Sequence, residues 1–418
     1  MTPFDLVAVL MTLVALVGWA NALTLKLPHG VAMLLVGLVG AVAVAAAESL
    51  IPGLGIMTGI AKVVDGIDFA STVTGYMLAF LLFAGAMQVD LNELRRRWLS
   101  VGALATLGVV GSILIVGAGL WAIAGGLGLA LPLAWAFVFG ALISPTDPVA
   151  VLATVRHVRL PKALMAILQG EALFNDGVGI VAFTALLAVA TGSGGLDPID
   201  TIMRVVIEAM GGLALGMLAS AVVIRLMGTL DDFAVEVSMS IALAMGVYAG
   251  AQAMHLSGAI AAVGAGMLFG SQRAQKAMEG ETEVYLKSFW TLVDEILNAL
   301  LFLLLGVEVI AVPFHGRETG LMLAAIPLVL IARYAVVLPW GLYYRARHSE
   351  RGVMTIMGWG GLHGALSLAL ALSLPSGPER SLLLAVTYAV VTFSVAVQGL
   401  TFAPLVRRLT RHAKAAGV

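Results

Sequence analysis

The sequence has no cysteine in its 418 residues and few charged residues. Without thiols, the chain has neither disulfides nor thiolate metal sites, and cysteine usage gives no information about its redox compartment. Asp, Glu, Lys and Arg make up only 11% of the residues, compared with about 25% in soluble domains. No block of basic residues suits a nucleic-acid partner, and no Lys or Arg precedes Lys26, so a cleavable signal peptide is not expected.

Hydrophobic residues, 61% of the sequence, are grouped into long runs separated by short polar loops. This pattern predicts an all-α polytopic membrane protein, because a membrane β-barrel would show short segments of alternating polarity. We also expect a long surface loop between the second and third runs, and a short basic tail at residues 406–418. About thirteen transmembrane spans are predicted, at residues 4–22, 29–50, 71–90, 99–124, 131–154, 162–191, 200–228, 234–253, 256–271, 287–311, 319–344, 351–374 and 380–405.

The distribution of basic residues predicts the orientation of the spans. Of the 23 Lys and Arg residues, Arg333 lies inside a span, and one set of alternate loops carries only Lys62, Arg204, Arg317 and Arg380. The others lie in the opposite set of loops or in the tail. Because cytoplasmic loops carry the Lys and Arg excess, the N-terminus is predicted outside and the C-terminus inside.

Thirteen spans can be divided into six, one and six, which predicts two halves related by an inverted-topology repeat. The fifth and twelfth spans then correspond, and both are interrupted. In the fifth, two prolines flank a Thr-Asp pair within 144–148, and each proline removes a backbone donor. In the twelfth, four glycines within 358–364 surround His363. Matching breaks indicate a transporter's binding site, whereas a plain kink is the alternative for either break alone.

A group of polar residues lies in the middle of the apolar sixth span: Glu171, Asn175 and Asp176. A charge at bilayer depth costs several kcal/mol unless it is paired or hydrated, so we predict a functional role, with a structural polar pair as the alternative. Carbonyls of the opened fifth span and the Thr146 hydroxyl can replace water around a small hard cation, while Asp147 can neutralise a half-helix N-terminus. Asp176 can hold either a proton or a cation, and that competition is exchange.

Three other polar side chains lie in or near the predicted spans. Arg333 is the expected partner of Glu171, because it is the basic residue available at mid-membrane depth. His363 belongs to a residue type that titrates near physiological pH, so it is a candidate pH sensor, although a packed neutral histidine of the crossing helix is the alternative. Glu236, near the end of a predicted span, is interpreted as interfacial.

The predicted Glu171–Arg333 pair can be tested by a double-substitution cycle. Each single neutral substitution, Glu171→Gln or Arg333→Met, is expected to lower the melting temperature in detergent, since a buried charge without its partner costs about 3–5 kcal/mol. The double variant is expected to recover part of that loss. Losses that add in the double variant would show that the two side chains do not pair.

Three motifs resemble those of the monovalent cation/proton antiporters. They are Gly-Glu-x-Leu-Phe-Asn-Asp at 170–176, Ile-Ser-Pro-Thr-Asp-Pro-Val-Ala-Val at 143–151 and Trp-Gly-Gly-Leu-His-Gly-Ala-Leu-Ser-Leu at 359–368. The chain is similar to the bacterial sodium/proton exchangers that carry an Asn-Asp pair. The resemblance implies a homodimer in the bacterial inner membrane that exchanges Na⁺, or Li⁺ or K⁺, for H⁺ in pH homeostasis. It implies transport helices at about 99–191 and 319–405, and dimerisation helices at about 4–90 and 200–311.

The resemblance also implies roles for particular residues. Asp176 is the carboxylate shared by cation and proton, with Asn175 as its partner, and Thr146 and Asp147 form the unwound crossing. Asp176 and Thr146 then contact the transported metal ion, and no cofactor is expected. Glu171 and Arg333 match the family's buried ion pair.

The chain departs from the family pattern at three positions. Ala172 replaces a frequent Ser or Thr, Ala84 a frequent carboxylate, and His363 a frequent Arg. With fewer oxygens near the ion, the choice among Na⁺, Li⁺ and K⁺ stays open. Because Asp176 is then the one carboxylate expected to titrate during transport, exchange is expected to be electroneutral, one cation for one proton.

Two other classes of function compete with antiport. An intramembrane aspartyl protease would use Asp147 and Asp176 as an acid pair, which needs two carboxylates about 3 Å apart. That scheme gives no role to Arg333 or to the paired helix breaks. An ion channel would need a continuous lined pore, whereas a single titratable centre suits alternating access. The sequence therefore predicts a transporter rather than an enzyme.

Overall fold

The computed structural model describes residues 3–50, 77–147, 160, 162–192, 198–230, 232–272, 274, 282–308, 316–348 and 352–415. All regular secondary structure in these ranges is helical, which confirms the predicted all-α class. The predicted loop after residue 50, the second proline of the fifth span and the end of that span lie outside the described residues.

The helices of the described ranges are numbered here in chain order. They are α1 (Pro3–Leu23), α2 (His29–Leu50), α3 (Leu78–Met87), α4 (Leu91–Arg96), α5 (Trp98–Ala103), α6 (Val109–Gly126), α7 (Leu133–Ile143), α8 (Lys162–Ala190), α9 (Pro198–Met227), α10 (Phe233–Ala253), α11 (Gly258–Phe269), α12 (Thr282–Glu308), α13 (Gly316–His348), α14 (Val353–Trp359), α15 (Ala365–Leu372), α16 (Pro378–Phe393) and α17 (Gly399–Ala415). A π-helical turn at Leu104–Gly108 joins α5 to α6, and another at Ser394–Gln398 joins α16 to α17.

Length and composition confirm a multi-pass membrane protein. Within the described ranges, eight helical stretches are long and apolar enough to cross a membrane, among them 163–190 in α8 and 316–343 in α13. Four shorter apolar helices lie in α1, α3, α7 and α11. The exact number of thirteen crossings stays a prediction.

Both predicted helix breaks are present. Helix α7 ends at Ile143, and Pro145–Asp147 is not helical. The twelfth predicted span consists of two short helices, α14 and α15, separated by the non-helical residues Gly360–Gly364. We call residues 360–364 the opened segment. The missing backbone donor of Pro145 explains the first break in physical terms.

By packing, the chain divides into two compact units. The first comprises Met1–Val73, Leu107–Leu160 and Asn298–Val418, and the second comprises Thr74–Thr106 and Pro161–Leu297. These units follow packing alone, so the predicted division into transport and dimerisation helices stays a prediction.

The second unit has an aromatic core around Trp290. Its ring packs against Phe83 at a centroid distance of 4.7 Å and against Phe80 at 5.8 Å, and its indole N–H donates to Ser240 Oγ at 3.0 Å. Ala84 is fully buried in the same cluster. The side chain at this position therefore belongs to an apolar core in this chain.

Glycines allow helices of this unit to pack with their backbones close together. A β-carbon at Gly264 of α11 would lie 2.9 Å from the Leu213 carbonyl oxygen of α9. A β-carbon at Gly270 would lie 2.8 Å from the backbone of Met87, the last residue of α3. Close helix packing is thus the role of these glycines, as is common in membrane helices.

Candidate ion site

Two hydrogen bonds join the opened segment to the end of the fifth span within the first unit. The Asp147 N–H donates to the Leu362 carbonyl oxygen at 2.6 Å. The His363 Nδ1 lies 3.1 Å from the Pro145 carbonyl oxygen. Because a carbonyl only accepts, Nδ1 carries the proton in this contact. Both bonds use backbone groups that the interrupted helices leave without helical partners.

His363 therefore lies at the crossing of the two interrupted spans. Its side chain is buried, with 5% of its surface exposed, and its backbone N–H donates to Ser394 Oγ at 2.8 Å. This geometry supports the crossing-helix interpretation. A role in pH sensing stays a prediction.

The glycines of the twelfth span make room for large or charged neighbours. A β-carbon at Gly361 would lie 2.7 Å from Cδ of Arg333, and one at Gly364 would lie 2.8 Å from Cβ of Asp147 and would also collide with its carboxylate. The sequence analysis interpreted these glycines only as helix breakers. The structure adds that the chain passes too close to its neighbours for a larger residue.

The Arg333 side chain, which is 8% exposed, reaches the turn before the opened segment. Its Nε donates to the Met357 carbonyl oxygen at 3.3 Å. Ser144 and Thr146 are also buried, at 6% and 4% exposed, so two hydroxyl groups follow the end of α7. Ser144 Oγ donates to the Ala141 carbonyl at 2.9 Å. The first unit thus contains the predicted crossing residues Thr146 and Asp147.

In the second unit, α8 carries the polar group of the sixth span. Glu171 and Asn175 are each 1% exposed and lie four residues apart, on one face of the helix. Asp176 is partly exposed, unlike these two. Ala172 is 3% exposed. The helix therefore buries its glutamate and its amide and leaves the neighbouring aspartate accessible.

Tight packing fixes α8 on both sides of this polar group. A β-carbon at Gly170 would lie 3.0 Å from Val101, and one at Gly177 would lie 2.9 Å from Ile260. The two glycines flank the segment that holds Glu171 and Asp176. Their close contacts limit how far this part of the helix can shift.

The predicted site residues are divided between the two units. Thr146, Asp147, Arg333 and His363 belong to the first, and residues 171–176 belong to the second. The Glu171–Arg333 pair therefore stays a prediction.

One sequence interpretation was wrong. Glu236 was interpreted as interfacial because it lies near a helix end, but it is only 3% exposed. It lies in the first turn of α10, where a negative charge interacts favourably with the helix dipole. Proximity to a helix end did not predict exposure, because neighbouring helices cover this turn.

The sequence analysis also missed the contribution of the last helix. Ser394 and Gln398, which are 0% and 1% exposed, contact the opened segment and the residue before it. The sequence did contain a signal, because Ser394 and Gln398 are two polar residues four positions apart in an apolar span. No motif of the resemblance covered it.

Comparison with known proteins agrees with this architecture. The family model described as sodium/hydrogen exchanger, transmembrane, matches residues 10–408. The chain is 38% identical to the Na⁺/H⁺ antiporter NhaP of Pseudomonas aeruginosa over 411 residues, which cover 97% of this chain and 96% of that protein. It is 35% identical to the Na⁺/H⁺ antiporter NhaH of Halobacillus aidingensis, over 97% of this chain and 96% of that one.

The fold is similar to a solved structure from an archaeon. The sodium proton antiporter MjNhaP1 of Methanocaldococcus jannaschii superposes with a TM-score of 0.71, covering 98% of this chain and 99% of that one at 18% identity. The length of the family match and the identity to full-length relatives agree with the three motifs and the two interrupted spans. The chain belongs to the sodium/hydrogen exchanger family.

Proposed function

We propose that this protein is a secondary antiporter that exchanges Na⁺ for H⁺ across the bacterial cytoplasmic membrane by alternating access. The observation that carries the proposal is Asp176, a partly exposed carboxylate near the middle of the apolar helix α8. Family membership supports transport rather than enzymatic catalysis, and the relatives NhaP and NhaH are named as Na⁺/H⁺ antiporters.

In the proposed cycle, Asp176 releases a proton when a sodium ion arrives and takes up a proton when the ion leaves. A carboxylate removed from bulk water strongly favours having either a proton or a cation close by. Asn175, on the adjacent position of α8, supplies an amide that orients the site. Thr146 and the carbonyls freed at the fifth-span break supply the oxygens that hard cations prefer.

The two interrupted spans supply the conformational element of the cycle. Short half-helices joined by non-helical backbone can change their mutual orientation with few broken bonds. Here the joint is held by two hydrogen bonds, Asp147 to Leu362 and His363 to Pro145. Asp147 adds a negative charge near the N-terminus of α15, where it is stabilised by the partial positive charge of the helix end.

The proposal includes topology and assembly. The N-terminus is outside and the C-terminus inside, which follows from the asymmetry of Lys and Arg between loops. The helices at about 99–191 and 319–405 form the transport part. Those at about 4–90 and 200–311 hold two copies together as a homodimer.

K⁺ or Li⁺ exchange with the same fold is the second candidate, because Ala84 and Ala172 supply no side-chain oxygen.

Purified protein in proteoliposomes tests this function. An outward or inward gradient of one cation at a time is imposed, and the internal pH is followed with a trapped dye. A sodium gradient is expected to drive protons in the opposite direction, with the series Na⁺, Li⁺ and K⁺ giving the selectivity. Cation flux without counter-movement of protons would indicate a channel and contradict the proposal.

A further inference from the structure

Three side chains of the last predicted span contact the opened segment or Trp359, the residue before it. The His363 N–H donates to Ser394 Oγ at 2.8 Å, and Gln398 Nε2 donates to the Trp359 carbonyl oxygen at 3.1 Å. The indole N–H of Trp359 donates to Thr401 Oγ1 at 2.9 Å. We call Ser394, Gln398 and Thr401 the ladder.

Ser394 and Gln398 give hydrogen-bond partners to backbone groups that the helix break would otherwise leave unpaired. Trp359 is the last residue of α14, so its carbonyl is among those without a helical partner. His363 lies two residues before α15, so its N–H is also outside the helical pattern. The His363 N–H is buried and the Trp359 carbonyl is partly buried, and a backbone group removed from water needs a partner. The ladder therefore fixes the opened segment at both of its ends.

The local shape of the last span agrees with this role. Ser394, Gln398 and Thr401 are four and three residues apart, so their side chains lie on one helix face. The first two are also the first and last residues of the π-helical turn between α16 and α17. Such single π turns are frequent at functional sites, because they redirect side chains at a cost to helix regularity. Polar residues that only join helices in a membrane are the competing explanation.

Both bonds across the crossing involve residues that the ladder holds in place: Leu362, which lies between Trp359 and His363, and His363 itself. Leu362 accepts from Asp147, and the His363 ring contacts Pro145. A change in the position of the opened segment would therefore move the partners of the fifth span directly. The ladder touches neither Asp147 nor Pro145 in these contacts, so it acts through Leu362 and His363.

We propose that Ser394, Gln398 and Thr401 are positioning residues for ion exchange. They hold the opened segment in the arrangement in which the crossing binds the cation. The proposal rests on the proposed antiport function. It goes beyond that function by assigning to the last span a part in setting the affinity for the cation.

Near-isosteric substitutions test the ladder in proteoliposomes. Ser394→Ala, Gln398→Met and Thr401→Val each remove a hydrogen bond to the twelfth span with little change in volume. For the first two we expect the apparent KM for sodium to rise about tenfold, which corresponds to the loss of one buried hydrogen bond. Ser394→Thr keeps a hydroxyl group, and it is expected to restore the KM toward that of the unchanged protein.

Thr387→Val is the matched control. The Thr387 hydroxyl is fully buried in α16, but it donates to the Leu383 carbonyl of its own helix at 2.7 Å. This variant is expected to lower the melting temperature about as much as Ser394→Ala, without a change in KM. If the ladder only stabilised the fold, Ser394→Ala and Thr387→Val would both have the same small effect on the KM. That result would overturn the proposal.

The outcomes distinguish a failure of the ladder proposal from a failure of the proposed function on which it rests. If the unchanged protein drives no protons in response to a cation gradient, the proposed function fails. If it does and the ladder variants keep its KM, only the ladder proposal fails. Should Ser394→Ala not fold, Gln398→Met carries the same comparison, because the same rise in KM is expected for it.

Discussion

Replacing Asp176 by Asn is expected to abolish sodium-driven proton flux while the protein still folds. The amide keeps the shape of the carboxylate but can neither release a proton nor balance a cation. Because Asp176 is only partly buried and Asn has nearly the same volume, the substitution is not expected to open a cavity in α8. We expect flux to fall to the level of liposomes without protein, and a melting temperature near that of the unchanged chain.

A control variant removes a carboxylate from the same unit without touching α8. Glu93 forms an ion pair with Arg96 at 3.2 Å, at the start of the α4 region, and Arg96 is 75% exposed. Surface pairs of this kind contribute little to stability, so Glu93→Gln is expected to retain both fold and flux. Substantial exchange by purified Asp176→Asn would show that another group carries the proton.

The second large effect is expected for Gly364→Ala. A methyl group at this position would lie 2.8 Å from Cβ of Asp147, closer than real side chains approach one another. The backbone of Gly364 is extended, so the obstacle is the neighbouring aspartate and not the conformation of the residue itself. Overpacking of this kind typically costs about 1–3 kcal/mol. Since the affected contact lies at the crossing, we expect transport to fall about tenfold or more.

The matched control for this substitution is Gly125→Ala. Gly125 lies near the end of α6, and a β-carbon there would meet no atom within 4 Å. Alanine is also the better helix former, so stability is expected to stay equal or to rise slightly. The companion double variant Asp147→Gly with Gly364→Ala removes the clash, and its melting temperature should recover relative to Gly364→Ala alone. If Gly364→Ala transports normally, the crossing is looser than this structure indicates.

The helices themselves were largely predictable, because hydrophobic run length reflects the thickness of a bilayer. The second span was predicted at 29–50 and the sixth at 162–191, and the helices observed are His29–Leu50 and Lys162–Ala190. The start of α2 and the end of α8 agree with the prediction to within one residue, because Pro28 precedes α2 and the polar and glycine residues Thr191 and Gly192 follow α8. Helix α13, by contrast, continues to His348, past the predicted end at 344.

The details of the crossing were not predictable to the same degree. Proline and glycine indicated where the chain would open, since both act locally on the backbone. Which neighbour each glycine would face depends on tertiary packing, so the close approach of Gly361 to Arg333 had no local signal. The π turn at Ser394–Gln398 also had no local signal, because its sequence is that of an ordinary apolar helix with two polar residues.

Ala84 shows how a departure from a family pattern acquires a physical meaning in the structure. In the sequence, Ala84 indicated only that a carboxylate oxygen frequent in the family is absent near the ion. In the structure Ala84 is fully buried beside Phe83 in the aromatic core of the second unit. A carboxylate placed there would be surrounded by apolar side chains, which is costly without a partner. This chain thus uses the position for packing.

The central claim is that Asp176 alone exchanges a proton for a cation, so each cycle moves one of each and no net charge. The direct test is to clamp the membrane potential of proteoliposomes with potassium and valinomycin, and to measure the sodium-driven proton flux and the charge displaced per turnover. The account predicts a flux that does not change with voltage and no charge displacement. A clear displacement of one charge per turnover would mean that two protons exchange for one sodium ion, and would contradict it.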